Sequence, residues 1–508
     1  MLTAMVSEPL DVLVIGGGIT GVGVAQDAAM RGLRVGLVER DDFGSGTSSR
    51  SSKMIHGGLR YLASGDVGLV RESLRERRSL QVRAAHMVAP LPMILPIDDW
   101  RDRVKYGSGL WAYDMLGAWK AGRRHRWLDH AALSQAAPNL GFSGLRGGLA
   151  YEDAAADDAR LVITVLRTAV AAGALAVNGV RVDELLEVDG RVCGARVTTD
   201  IDGQASVDVH ARVVINATGV WADQIGSATS VSQSFRVMPS KGIHLTIPRA
   251  AAGIRSAVAF FPQTGRNVFI EPWDTDLAIV GTSDAPWDGD MAEPPALEQE
   301  ISTLLDDVNC YLKQPIGRDD VLSAWAGVRP LVIDQGSDAP ASGSRDVSRN
   351  HRTVLQPGMI TMVGGKLTTY RKMAEDAVDA ALYQMGASAR CVTSSTPLIG
   401  CPGNRGLLDD ATLARAMGID HATAAHLHRR FGTSAEQLVS MVHEEATLLE
   451  RLHPDRPYLA VEAAFAVRYE MARSREDILQ RRTRLAMETS DGGASSAPAI
   501  DRIRNMYS

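Results

Sequence analysis

Cysteine is scarce in this chain of 508 residues: only Cys193, Cys310, Cys391 and Cys401 occur. None forms a C-x-x-C pair, so neither zinc-ligand spacing nor a disulfide framework is present, and reduced thiols of a cytosolic protein are the expectation. No metal site is expected. Strong positive charge is missing as well. A formal net charge of −6 argues against broad nucleic-acid binding, although it leaves room for a local basic patch. Long hydrophobic runs are absent: the uncharged stretches Val12–Ala25 and Ala84–Ile97 fall short of the roughly 20 apolar residues that a spanning helix needs. The first is rich in glycine and the second holds Pro90, Pro92 and Pro96, so any membrane attachment is expected to be peripheral. The start, MLTAMVSEPLD, carries acids and no basic region, and does not read as a secretory signal. There is no internal repeat. The length exceeds what one core fills, and two or three domains are expected.

The most informative stretch is residues 11–39, DVLVIGGGITGVGVAQDAAMRGLRVGLVE. An apolar run of strand length, Asp11–Ile15, breaks into Gly16, Gly18 and Gly21, spaced G-x-G-x-x-G. An Ala-rich helical segment follows, then a second strand, Arg34–Val38, closed by Glu39. This is the βαβ dinucleotide fingerprint with its parts in order. Gly16 permits the tight turn, Gly18 lets the backbone approach a pyrophosphate at the positive end of the helix, and Gly21 lets helix and strand pack closely. Glu39 is placed to accept from a ribose hydroxyl. Gly17 and Gly23 are expected to be spectators. The motif alone does not choose between NAD and FAD.

After Glu39, residues 41–62 (DDFGSGTSSRSSKMIHGGLRYL) are dense in glycine and small hydroxyl residues. Lys53, His56, Arg60 and Tyr61 lie among backbone-exposing glycines close to the fingerprint, which favours a binding loop over a surface linker.

GGGITGVGVAQDAAMRGL followed by TSSRSSKMIHGGLRYL resembles the FAD-dependent, quinone-linked glycerol-3-phosphate dehydrogenases. Similar blocks follow in the family's order: DDARLV (157–162), INATGVWAD (215–223), KGIHLTIP (241–248), GTSD (281–284), WAGVRPL (325–331) and VGGKLTTYRKMAE (363–375). The likeness runs from about residue 10 to 385 and continues weakly beyond. It implies an α/β fold of D-amino-acid-oxidase-like architecture: an FAD-binding Rossmann-like βαβ domain interleaved with an antiparallel-sheet substrate domain, plus an all-α C-terminal domain. The FAD-dependent oxidoreductase region is expected over 1–385, with FAD-binding segments at about 10–80, 150–225 and 350–385, and substrate or cap segments at about 85–150 and 230–345. A Ser, Thr, Pro and Gly-rich linker is expected at 386–406, a helical C-terminal domain at 407–490, and a flexible tail at 491–508. Arg473, Arg475, Arg481, Arg482 and Arg484 read most simply as a solvated face, with an anionic partner or lipid as the lesser alternative. Trp221 is either a core anchor or part of the cofactor wall, and core is the safer expectation.

For FAD the resemblance, together with the glycine turns, marks Gly16, Gly18, Gly21, Glu39, Thr47, Ser48, Ser49, His56, Gly57, Gly58, Ala217, Gly219, Gly364, Gly365, Lys366, Leu367 and Thr368. It implies oxidation of sn-glycerol 3-phosphate to dihydroxyacetone phosphate. Arg60, Arg329, Arg349 and Lys366 match the family's substrate contacts, and arginine suits a phosphate dianion because its planar fork gives charge-assisted bonds. The loop of Arg349 differs in length from the family pattern, so Arg345 is an alternative. Tyr61 and Thr282 would position the substrate, and Ser283 stands where the family usually carries Thr. His244 is the first choice for the hydroxyl proton, since an imidazole exchanges protons near neutral pH. Arg329, placed at the reacting hydroxyl by the resemblance, is a poor base with a pKa above about 12 and reads as a stabiliser of the developing alkoxide.

The resemblance implies that electrons pass to a membrane quinone. Residues 101–127 mix Arg101, Arg103, Lys105, Lys120, Arg123, Arg124 and Arg126 with Trp111, Trp119 and Trp127, a composition suited to an anionic lipid surface. The protein is therefore expected in the cytoplasm, peripherally attached to the inner face of the cell membrane; a homodimer is compatible with this. The rivals are an oxidase of the same fold that uses oxygen, and a non-catalytic protein that retains FAD as a binding module.

Overall fold

The strand Leu10–Ile15 sits at the centre of a parallel sheet because both of its faces are apolar and both are covered. It pairs with Val35–Glu39 on one side and Ala205–Asn216 on the other. Leu175–Asn178 and Met359–Val363 extend the sheet outward, and Arg352–Gln356 adds an antiparallel edge. The computed structural model describes residues 1–63, 65–117, 124–199, 205–226, 234–261, 267–336, 350–403 and 409–507. Strand alternation divides the core. Val12, Val14, Leu37 and Ile215 face the helices Ile19–Met30, Asp158–Ala171 and Tyr370–Met385, whereas Leu13, Ile15 and Val214 face a meander built from Val180–Val188, Arg191–Thr199 and the start of Ala205–Asn216.

Gly17 and Gly23, expected to be spectators, are packing positions. A Cβ on Gly17 would lie 2.5 Å from Phe43, and one on Gly23 would lie 2.8 Å from the Tyr370 ring of the neighbouring helix. Helix and helix, or turn and loop, close to distances that only glycine allows.

The second sheet is mostly antiparallel. Phe235–Pro248 pairs with Ser323–Asp334 along one side and with Leu277–Gly281 on the other, and Val268–Trp273, Ala257–Phe260, Ala89–Ile97 and Gly147–Ala155 follow. One pairing, Ala257–Phe260 with Ala89–Ile97, is parallel, so the sheet is mixed rather than purely antiparallel. One face is covered by the helix Glu298–Asn309 through Ile301, Leu304 and Val308.

Beyond residue 409 the chain is helical: Asp410–Met417, His421–Phe431, Ala435–Glu444 and Ala460–Tyr469 enclose a separate core containing Leu427, Leu438 and Phe465. Asp409 and Asp420 start the first two by accepting from the amides of Thr412 and Thr423. The stretch expected to be a linker packs on the first domain, where buried Thr393 donates to Asp27 at 3.2 Å and the amide of Leu398 donates to the Arg83 carbonyl at 2.8 Å.

Two expectations for this region are overturned. The tail from Asp491 is folded: Ala497–Tyr507 is a helix whose Ile500 and Ile503 enter the helical core. Its apolar pair at helical spacing supplies the burial that a flexible tail lacks. Three of the five arginines are not on a solvated face either. Arg481, Arg482 and Arg484 are buried, because each finds a carboxylate on the first domain or on its own turn. Arg473 is exposed, and Arg475 stays near the surface on Asp501.

A Cβ on Gly21 would lie 1.8 Å from the Gly16 carbonyl oxygen, and that backbone atom cannot rotate away. Gly21→Ala is therefore expected to destabilise the protein by about 3 kcal/mol, the upper range for overpacking, seen as a lower melting temperature with cofactor removed.

Candidate active site

The site begins at the glycine turn. Gly16 adopts φ +102°, and a Cβ there would press on the Ala217 carbonyl at 2.8 Å. The helix is capped by Gly18; its first amide, Ile19, donates to Ser48 Oγ at 2.9 Å, and in the turn before it Gly17 donates to Glu39 Oε2 at 2.6 Å. The other Glu39 oxygen accepts from the Asp41 amide at 2.8 Å. Burial pushes the Glu39 carboxyl above the usual carboxylate range, while these two amides pull it down. Each oxygen keeps a lone pair for a ligand hydroxyl.

A cavity of about 340 Å³ opens over this turn, at the carboxyl ends of the parallel strands. Gly16, Gly18, Glu39, Thr47, Ser48, Ala217, Gly219, Gly364, Gly365, Lys366 and Leu367 all line it. Trp221, for which core was the safer expectation, lines it too, with the Arg40 guanidinium 4.9 Å from its ring. Gly21 acts behind the wall, through packing.

A second cavity of about 150 Å³ shares Thr47, Ser51, Pro330 and residues 364–367 with the first, so the two are continuous. His56, Tyr61, Gly242, His244, Arg329 and Thr368 line it. Ser49, Gly57 and Gly58 line neither cavity. Ser49 is buried, and a Cβ on Gly57 or Gly58 would meet Tyr113 at 2.3 Å or Tyr61 at 2.4 Å. Lys53 also lies beneath the site, ion-paired to Asp158 at 2.8 Å. Arg349, Arg345 and the side chain of Arg60 fall outside the described residues. Arg50, which the sequence reading passed over, lines the smaller cavity and is held by the Ala292 carbonyl and Glu293. Its only signal was its place in the hydroxyl-rich loop.

His244 and Arg329 come from the paired strands Phe235–Pro248 and Ser323–Asp334. Arg329 donates to Thr282 Oγ1 at 3.0 Å and to the Ser283 carbonyl at 3.1 Å, with Asp284 3.4 Å away. Thr282 thus lies behind the cavity wall and bears on the site through Arg329. Gly242 gives the guanidinium room, since a Cβ there would lie 2.3 Å from it. Lys366 donates to Ser73 at 3.2 Å and lies 3.9 Å from the centre of the Tyr61 ring.

The His244 ring stacks on Trp325 at 5.3 Å, with Phe269 at 6.1 Å. It is buried, and neither ring nitrogen has a hydrogen-bond partner among the described residues. Burial, then the positive charges of Arg329 and Lys53, hold the imidazole well below its ordinary range, so it is neutral at physiological pH. No group of side chains able to hold a metal ion occurs among the described residues.

A crevice at the carboxyl ends of a parallel sheet, opening into a small polar cavity against a second sheet, defines a two-domain dinucleotide-dependent oxidoreductase. Residues 11–371 match the family model described as FAD dependent oxidoreductase, and residues 391–506 match the C-terminal domain of alpha-glycerophosphate oxidase. Glycerol-3-phosphate dehydrogenase 2 of Mycobacterium tuberculosis is 39% identical over 98% of this chain and 84% of its own length. The mitochondrial glycerol-3-phosphate dehydrogenase SDP6 of Arabidopsis thaliana is 37% identical over 99% and 84%. The crystal structure of the Bacillus halodurans glycerol-3-phosphate dehydrogenase with FAD superposes with a TM-score of 0.80 at 28% identity, covering 99% of this chain and 92% of that one. The chain belongs to the glycerol-3-phosphate dehydrogenase family of FAD-dependent oxidoreductases. The cavity fits FAD on its own terms: a helix start bared by glycine, an acid at the end of the second strand, and small residues at Ala217 and Gly219.

The depressed His244 carries a stability consequence. Below the unfolded value of about 6.5 the unfolded imidazole takes a proton that the folded one refuses, so stability falls as pH falls through that value. Denaturant melts of His244→Gln should accordingly lose about 1 kcal/mol less than the parent between pH 7 and pH 5.5.

Proposed function

We propose that the protein oxidises sn-glycerol 3-phosphate to dihydroxyacetone phosphate and passes the electrons to a membrane quinone. The observation that carries this reading is one small cavity lined by three cations, Arg50, Arg329 and Lys366, and by the neutral imidazole of His244, which has no hydrogen-bond partner among the described residues. FAD, when bound, supplies the hydride acceptor. His244 takes the hydroxyl proton, for which its free ring nitrogens suit it. Arg329 cannot serve as a base with a pKa above about 12. Held by Thr282 and the Ser283 carbonyl, it stabilises the negative charge that develops on the substrate oxygen. Lys366, backed by Tyr61, meets the phosphate, and the family's pattern adds Arg60 and Arg349 to that contact. The two products of the step balance: the carbinol hydrogen leaves as hydride and the hydroxyl hydrogen as a proton.

Attachment to the membrane rests on the helix Trp100–Leu116. Trp100, Val104, Trp111 and Met115, spaced i, i+4, i+11 and i+15, form one stripe, and all four are exposed. Arg101, Arg103 and Lys105 flank it, though the Arg103 guanidinium stands 4.1 Å from the centre of the Trp127 ring. An apolar stripe with basic flanks suits anionic headgroups. No helix of the described residues is long and apolar enough to cross a membrane.

Anaerobic addition of glycerol 3-phosphate should bleach the bound flavin, and reoxidation should be faster with a soluble quinone than with oxygen. A faster return with oxygen would make the protein an oxidase. Arg329→Ala should lower turnover by about 10²–10³-fold with FAD still bound, on the scale of a lost charge-stabilising donor; parental rates in that variant would refute the substrate site. Trp111→Glu should weaken co-sedimentation with phosphatidylglycerol vesicles, and equal binding would remove this helix from the membrane face.

A further inference from the structure

The loop from Asp42 to Ser51 supplies Ser45, Gly46, Thr47, Ser48 and Ser51 to the cofactor cavity, and its own apolar anchor is one buried ring, Phe43, near its start. Its two ends are held from far away in the chain, by one short stretch of the C-terminal region at the first end and by that stretch together with Asp158 at the second. At the first end, buried Asp42 accepts from Arg482 through both oxygens at 2.9 Å, and from Arg481 Nε. The turn Ile478–Arg482 is wound wider than an α-helix, and both of these arginines reach the same carboxylate. At the second end, Asp158 Oδ2 accepts from the Ser51 amide at 2.9 Å and the Ser51 hydroxyl at 2.7 Å. Its other oxygen takes Lys53 Nζ at 2.8 Å and Arg484 Nη2 at 3.0 Å. The same two cations also donate to the Ser49 carbonyl, Lys53 at 3.3 Å and Arg484 at 3.1 Å.

We propose that Arg481, Arg482 and Arg484 are positioning residues for the cofactor: the C-terminal region clamps both ends of the Asp42–Ser51 loop and so holds its hydroxyl groups towards FAD. The inference rests on the family's cofactor and not on the identity of the substrate. Charged bonds of this kind, buried and shared by several partners, are costly to break on one side only, which makes them effective at fixing the polar stretch of the loop that follows Phe43. The two matched family models therefore divide the chain at a place where the cofactor site does not divide.

FAD dissociation, followed by the fluorescence of released flavin, tests the clamp. Arg484→Met and Arg482→Met should each raise the Kd for FAD by about ten-fold or more, the effect of one lost charged hydrogen bond. Arg484→Lys, which keeps the charge on Asp158, should recover part of that loss. Arg475→Ala, in the same stretch but paired with Asp501 near the surface, should leave the Kd unchanged. A folded Arg484→Met protein with the parental Kd would overturn the proposal. A second measurement needs no variant. By reciprocity, FAD added to the stripped parent protein must slow amide hydrogen exchange across residues 478–488. Exchange there that ignores FAD would overturn the proposal equally. Both readouts are independent of turnover, so failure of the substrate assignment leaves this test intact.

Discussion

Twelve consecutive residue pairs, from Phe235 with Asp334 to Thr246 with Ser323, tie the two longest strands of the second sheet together. The groups proposed to react hang on that register. It sets His244 opposite Trp325, whose ring it stacks on, and Ser240 opposite Arg329, with Asp284 bonded to both. Because side chains alternate faces, a slip of one residue would turn His244 and Arg329 away from the cavity together. The neighbouring strand adds a vacancy of its own: Gly281, paired with both His244 and Phe269, carries no side chain where those two rings close in, and a Cβ there would lie 2.6 Å from each. Backbone pairing thus does for His244 what a carboxylate does for many catalytic histidines. The ring is oriented by stacking and by the strand that bears it, and its nitrogens have no partner among the described residues.

The second organising feature is electrostatic. Lys53, Asp158 and Arg484, with Asp157 and Arg430 alongside, form a buried ion network beneath the smaller cavity, and Arg160 with Glu470 and Asp42 with Arg482 extend it along the same boundary. Burying so many charges costs free energy that only mutual pairing offsets, so these groups specify how the helical region docks more than they stabilise it. The network also reaches the proposed proton acceptor. The Lys53 cation, 5.4 Å from the centre of the Trp325 ring, is one of the charges that keep the His244 imidazole neutral.

Local signals made the fingerprint legible: strand, glycines, helix and acid lie within thirty residues, and Gly16, Gly18 and Glu39 line the cavity with Gly21 packed against Gly16 behind it. His244, Arg329, Tyr61 and Lys366 were reachable only through the ordered blocks, since nothing in a lone histidine or arginine says which cavity it will face. Other features depend on partners hundreds of residues away. Arg482 looks like surface charge until Asp42 is seen opposite it, and Trp221 looks like core until the cavity opens beside it. Ile500 and Ile503 were passed over because one apolar pair in a polar tail is a weak periodic signal, although the helical core fills around it. Gly17 and Gly23 fell outside the motif, and their role is set by Phe43 and Tyr370, which no spacing rule names.

The central claim is that residues from separate blocks build one pocket for a small phosphate ester beside the cofactor. A crystal structure of the FAD-loaded protein with dihydroxyacetone phosphate tests it most directly. The account predicts the phosphate group against Lys366 and the carbonyl oxygen within about 3 Å of both His244 and Arg329, the reach of a hydrogen bond. Density for the ligand outside the cavity, or with its phosphate remote from Lys366 and its oxygen turned from His244, would contradict it.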